Sequence, residues 1–277
     1  IARYYSIQVK EDTVWHRNDF YIPEKTLQMD GYLKDGYKEG WFTYFHVNGK
    51  ISSKVFFKNG KKNGLVLSFY EDGKKKDSTY YLQDAIIGNA YSWFQNGELK
   101  ATMNLDSLGS QQGGYTSYFE NKLTSAIGMY SKGLKKNGVW IYYHENGNKS
   151  AEINYVFGDI AGKKCFDETG AKQNDCDVEL HKPEFPGGQK KFLNYMARKK
   201  SWPANYRLTH DGKVRVVVEF TVDTKGKIKD ITVVQPFQEE FDKIAIKAVE
   251  DMPDWKPAKH FNRNISEKMK LPVNFVQ

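Results

Sequence analysis

Few residues in this 277-residue chain have types and spacings suited to chemistry. Cys165 and Cys176 stand with ten residues between them. In an oxidising compartment that spacing permits a local disulfide, and in a reducing one it leaves two free thiols; spacing alone keeps both open. Two cysteines without histidines at ligand spacing do not build a zinc site, so no metal is expected. No nucleophile elbow, P-loop, zinc-protease helix or EF-hand loop is present. The carboxylates fall in turns and on helix exteriors. The chain therefore reads as a non-enzyme, with no catalytic residue and no cofactor. The last segment with a regular pattern, Lys268–Val276, reads as a strand. Met269, Leu271, Val273 and Phe275 alternate there, and Pro272 fits an edge position, where a missing N–H is tolerated. The same proline would also blunt an edge against aggregation.

Such a strand needs a scaffold. Hydrophobic residues make up 39% of the chain and aromatics 15%. That aromatic content argues against disorder and for β structure. The formal charge of +8 is uneven: Lys+Arg 23 against Asp+Glu 22 in residues 1–179, and 19 against 12 in 180–277. A basic surface attracts nucleic acid, anionic lipid or an acidic peptide, or simply keeps a protein soluble. No arginine-rich helix or zinc-finger spacing accompanies the charge, so nucleic acid is not an expected partner. No apolar run reaches the roughly 18 residues that span a bilayer. The chain begins with Ile1 rather than Met, which points to a removed N-terminal segment: a signal peptide, a lipid anchor or a transmembrane helix. A membrane anchor, if there is one, would lie in that missing N-terminal segment.

Residues 13–172 repeat. Gly40, Gly64, Gly88, Gly113, Gly138 and Gly162 are spaced by 24, 24, 25, 25 and 24 residues. Phe45, Phe69, Trp93, Tyr118 and Tyr143 follow the first five glycines by five residues. His46, Tyr70, Phe94, Phe119 and His144 come next. The histidines thus share a repeat position, which suggests ring packing rather than metal ligation. Asn-Gly or Asp-Gly follows in every copy but one, where Lys122 replaces the glycine. A degenerate copy with Trp15, Phe20 and Tyr21 precedes these, and a shorter one with Phe166 and Gly170 closes the series. Asn-Gly between β-prone runs predicts a type I′ hairpin with both central residues at positive φ. Tyr32, Phe57, Tyr81, Leu105, Tyr130 and Tyr155 put a second large side chain on each hairpin. Asn59-Gly60, Asn63-Gly64 and Asn137-Gly138 read as turns between hairpins. About seven hairpins sharing an aromatic core would make fourteen strands, a sheet on the order of 60–70 Å at ~4.8 Å per strand. The rings read as core rather than as a stripe for sugars or bases.

Seven of the eight prolines lie from Pro183 onward, and the pattern changes there. Helical spacing appears over 189–200 (Phe192, Leu193, Met196) and over 239–251 (Phe241, Ile244, Ala245, Ala248, Val249, then Met252). Strands are predicted over 213–223, 227–235 and 268–276. The order α-β-β-α-β makes a small α+β domain. The division is then an N-terminal segment 1–12, repeats 13–172, a linker 173–182 and a C-terminal domain 183–277. The fold class is mainly β: a stacked β-hairpin array plus an antiparallel sheet with two helices.

Two resemblances are specific. Gly40-Trp41-Phe42-Thr43-Tyr44-Phe45-His46-Val47-Asn48-Gly49 and its copy from Gly138 to Gly147 resemble MORN-type repeats, especially those named after YwqK-type antitoxins. Phe185-Pro186-Gly187-Gly188, Trp202-Pro203, Gly212-Lys213-Val214, Gly226, Met252-Pro253-Asp254-Trp255-Lys256-Pro257 and Leu271-Pro272-Val273-Asn274-Phe275 are similar to the TonB C-terminal domain of Bacteroidetes-type energy transducers. One departure is the polar link 205–211, where that family often has an alanine-rich turn. The resemblance implies a periplasmic or envelope protein. Its partner would be an outer-membrane TonB-dependent transporter or another envelope protein, whose TonB-box peptide pairs with a sheet edge by β-augmentation. The residues it nominates are Lys268, Met269, Lys270, Leu271, Val273, Asn274 and Phe275, with Trp202 and Pro203 lining the same place and Trp255 in the core. The alternative is a secreted or envelope-attached scaffold that uses the array for protein or cell-wall binding, without energy coupling.

Overall fold

The computed structural model describes residues 2–7, 14–22, 24–106, 112–207 and 212–276, the first stretch by its backbone alone. The chain divides into two units, Ile1–Gln173 and Asn174–Gln277.

Unit one is a single antiparallel sheet of fifteen strands in sequence order. They are β1 (Ala2–Ile7), β2 (Val14–Phe20), β3 (Leu27–Lys34), β4 (Tyr37–Phe45), β5 (Ile51–Lys58), β6 (Lys61–Phe69), β7 (Lys75–Leu82), β8 (Ala85–Trp93), β9 (Leu99–Leu105), β10 (Gly113–Tyr118), β11 (Thr124–Ser131), β12 (Lys135–Tyr143), β13 (Lys149–Val156), β14 (Asp159–Phe166) and β15 (Lys172–Gln173). β1 falls in the segment that the repeat pattern leaves out, because pairing with β2 needs only main-chain groups. Residues 8–13, where that segment meets the repeats, lie outside the described residues.

Asn-Gly plays three parts here, and two differ from expectation. At the repeat turns only the glycine takes positive φ, as at Gly49 (79°). The Gly49 N–H donates to His46 O at 2.9 Å and the His46 N–H to Lys50 O at 2.8 Å. This is a three-residue loop, a type I turn with a left-handed third residue, rather than type I′. The Asn48 side chain accepts from the Lys50 N–H at 3.0 Å, and the other copies repeat this bond. That local bond holds Asn48 in the turn without a positive φ. Lys122 fills the glycine slot at φ 68°. True type I′ pairs sit at the other end of the hairpins: Asp35-Gly36, Asn59-Gly60, Gln83-Asp84 and Phe157-Gly158, all at positive φ.

Asn63-Gly64 and Asn137-Gly138 are not turns at all. They lie inside β6 and β12, at bulges. Between Asp30↔Thr43 and Tyr32↔Glu39, the single residue Gly31 of β3 faces Gly40, Trp41 and Phe42 of β4, and Gly40 takes φ 77° within that excess. The recurring glycine is thus a bulge residue in a left-handed conformation that a Cβ disfavours.

The core differs in position from the rings singled out by spacing. Phe45, Phe69, Trp93, Tyr118 and Tyr143 are half-buried, and Tyr32 is exposed. The fully buried rings lie two and four residues after the bulge glycine: Phe42, Trp140 and Tyr142. Phe57, Leu105 and Tyr155 are buried as the pattern implied. Lys38 lies 4.9 Å from the ring centroids of both Phe42 and Phe57 and donates to the Tyr44 hydroxyl at 2.6 Å. Lys136 repeats this over Trp140 at 4.7 Å, with Tyr142 at 2.7 Å. Burial pulls the Lys136 ammonium down to a pKa of about 8. The core is not continuous. Residues 58–104 hold no buried side chain, because Val66, Ala90, Ser68 and Ser92 occupy the places of the large rings.

Hydrogen bonds link successive repeats. Tyr21 Oη donates to Phe45 O, His46 Nε2 to Phe69 O, Tyr70 Oη to Trp93 O and His144 Nε2 to Phe166 O, at 2.7–3.0 Å. The histidines therefore serve as donors to the next repeat rather than as packing rings alone. Phe94 and Phe119 occupy the same position and have nothing to donate.

Unit two contains α1 (Gly188–Lys199), β16 (Lys213–Val222), β17 (Ile228–Gln235), α2 (Glu239–Glu250), β18 (Ala258–His260), β19 (Arg263–Ile265) and β20 (Glu267–Val276). The main sheet has the order β17-β16-β20. The β18–β19 hairpin was not expected, since three-residue strands are too short to show alternation. Val214, Val216, Val218, Phe220 and Val222 face a core completed by Phe241, Ala245, Ala248 and Val249 of α2. Phe185 seats edge-on against Phe192 and Trp255, and Trp255 is buried. Leu193 is exposed, because α1 turns Phe192, Tyr195 and Met196 inward instead. Gly226 ties the turn after β16 to Trp255: its carbonyl accepts the Trp255 N–H at 2.9 Å, and a Cβ on it would lie 2.0 Å from Trp255 O.

Candidate binding edge

β20 forms because apolar residues alternate over ten positions, which fits a strand with one buried face. It pairs along its whole length with β16, from Lys213↔Val276 to Val222↔Glu267. Among the described residues β16 is its one strand partner, so the other side of β20 is a sheet margin.

The nominated residues separate by face. Val273 and Phe275 are core, and Met269 and Leu271 pack partly buried against it. Their side chains are committed to the fold. Lys268, Lys270 and Asn274 are exposed on the opposite face, as are Pro272 and Val276. Trp202 stacks edge-on against Phe241, with centroids 5.1 Å apart, and Phe241 meets Phe275 at 5.1 Å. Trp202 Nε1 donates to Tyr206 O at 2.7 Å, and Tyr206 N–H donates to Pro203 O at 3.1 Å. Trp202 therefore packs on the core beside the C-terminal end of β20, and Pro203 is half-buried next to it. The rest of the polar link, 208–211, lies outside the described residues.

Four further residues belong to this place. Lys200 Nζ donates to the main-chain oxygen of Asn274 at 2.7 Å. On the solvent face of β16, Lys213 and Arg215 are exposed. Glu219 lies between Lys268 (3.1 Å) and Lys270 (3.4 Å). Burial pushes the Glu219 carboxyl up, but hydrogen bonds and charge from the two lysines outweigh it and hold the group below its ordinary value. The period-two alternation that marks the buried valines of β16 also marks these outward charges. Register with β20, which brings them together, is tertiary.

Both cysteines are disulfide-bonded. Cys165 on β14 is fully buried. Among the described residues no cluster of His, Cys, Asp and Glu could hold a metal ion, and no helix is long and apolar enough to cross a membrane.

Residues 207–276 match the family described as Gram-negative bacterial TonB protein C-terminal, and residues 136–156 match the MORN repeat variant. No curated protein matches the chain. The first match contains β16, β17, α2 and β20; the second covers β12 and β13, with their buried Trp140 and Tyr155. The chain thus carries a hairpin-repeat array in which one copy matches the MORN variant, followed by a domain that matches the TonB C-terminal family, a combination that supports in general terms a TonB-like envelope protein.

Proposed function

We propose that the protein is a non-enzymatic periplasmic adaptor that captures an extended peptide on the free margin of β20, and that its partner is the TonB box of an outer-membrane transporter. The observation that supports this reading is the position of β20: ten residues of strand, paired on one side, in a domain of the TonB C-terminal family. An incoming strand gains main-chain hydrogen bonds along such a margin, while the exposed side chains beside it supply choice. Pro272 removes one donor from the strand without breaking it, because its place opposite Val217 is retained. Coupling to an energised membrane is part of this proposal and requires an anchor.

The test uses the full chain and a fluorescein-labelled TonB-box peptide in fluorescence anisotropy. Saturable binding is expected. N-methylation of alternate peptide nitrogens should abolish it when the methyls face the ladder and leave it intact when they face away. A folded sample that binds no TonB-box peptide overturns the reading. The alternative, a scaffold built on the array, draws support from Trp41, 52% exposed and edge-on to Phe56, and from Tyr80, 48% exposed.

A further inference from the structure

We propose that the face beside the β20 margin selects an extended segment with acidic side chains at both ends and an apolar one between them. This rests on the edge-pairing reading above and adds the chemistry of the ligand.

The register lays the solvent face out in rows. Lys213 stands opposite Val276, Arg215 opposite Asn274, Val217 opposite Pro272, Glu219 opposite Lys270, and Thr221 opposite Lys268. Cations therefore occupy both ends of the face, with Val217 and Pro272 between them. Lys200 adds a further ammonium at the Asn274 end. The one carboxylate in these rows, Glu219, is 16% exposed and shared by Lys268 and Lys270, whose side chains remain 65% and 66% exposed. Five cations against one shared carboxylate leave an excess of positive charge.

A strand added to the margin places every second side chain on this face, one beside each row. The added strand lies next to β20, so Lys268 and Lys270 act on it as cross-strand neighbours, while Lys213 and Arg215 stand one strand further in, roughly 10 Å away at the ordinary strand spacing, and act through longer-range attraction. Side chains next to the Lys213 and Arg215 rows and next to the Lys270 and Lys268 rows should then be Asp or Glu. The side chain beside Pro272 should be apolar. The pattern reads acidic, acidic, apolar, acidic, acidic at alternate positions, and it is the same in both directions, so it holds for parallel and antiparallel pairing.

The probe is a fluorescein-labelled eleven-residue peptide with Glu at positions 2, 4, 8 and 10, Val at 6 and Thr elsewhere. Two controls replace the four Glu by Gln or by Lys. Binding to the full chain is measured by anisotropy at two salt concentrations. The Glu peptide should bind about tenfold more tightly than the Gln peptide, with the gap closing at high salt, and the Lys peptide should bind weakest. The double variant Lys268→Gln, Lys270→Gln should narrow the Glu-over-Gln gap, and a gap left unchanged overturns the charge proposal. Equal affinities for Glu and Gln peptides overturn the charge proposal while leaving edge pairing standing. No binding by a folded chain of these peptides or of a TonB-box peptide overturns both.

Discussion

Two glycines offer a matched test of what a close approach is worth. Asp167–Gly170 and Asp223–Gly226 form the same turn. In each, the glycine N–H donates to the aspartate oxygen at 2.9 Å, and the aspartate N–H donates across the turn at 3.0 and 2.9 Å. The φ angles are 88° and 85°. A Cβ at Gly170 would meet nothing within 4 Å, whereas a Cβ at Gly226 would lie 2.0 Å from the main-chain oxygen of Trp255. Alanine at either site incurs the left-handed penalty of about 1–2 kcal/mol. At Gly226 it must also push back the Trp255 backbone, and overpacking of that kind adds about 1–3 kcal/mol. Gly170→Ala should therefore cost ~1 kcal/mol and Gly226→Ala ~3 kcal/mol. Hydrogen exchange read by mass spectrometry on the full chain reports each unit separately, Gly170→Ala in β13–β15 and Gly226→Ala in β16 and α2. Equal losses at the two sites would refute the argument that Trp255 O, rather than φ alone, demands glycine at 226.

Four further outcomes are expected. Lys122→Gly should stabilise the array by about 1 kcal/mol in urea denaturation, since relief of a left-handed lysine exceeds the loss of its exposed Glu98 ion pair. Exchange should be fastest in β6–β9, where nothing between 58 and 104 is buried, and Phe119→Tyr, by supplying the missing donor to the next repeat, should slow exchange in β10–β12 by about fivefold, equivalent to ~1 kcal/mol. Burial lowers the Lys136 pKa to about 8 in the folded chain, from 10.5. The unfolded state then binds more protons between these values, so stability contributed at this site rises with pH across that window. Lys136→Met should accordingly show its greatest stability relative to the parent below pH 8, with the difference shrinking towards pH 10.5; a pH-independent difference would contradict the assignment.

The sequence carried the periodic features well. A glycine every 24 or 25 residues announced a stack of hairpins, and the two helices and three main strands of the second unit appeared within a residue or two of their observed limits. Both rest on side-chain alternation, a local property of the chain. Dipeptides were less informative. Asn-Gly at 48–49, 59–60 and 63–64 looks alike in sequence yet forms a three-residue loop, a type I′ turn and a bulge. Each needs a left-handed glycine, and which one forms depends on the register of the neighbouring strand.

The candidate edge divides in the same way. That residues 268–276 form a strand, with Val273 and Phe275 inward, follows from alternation alone. That this strand lies at a margin, that Lys200 reaches Asn274, and that Arg215 and Glu219 line up beside Asn274 and Lys270 was settled by tertiary structure. Residues about 55 positions apart in the chain become neighbours there through sheet register, and register is set by the packing of the buried face against α2, which no window of sequence contains.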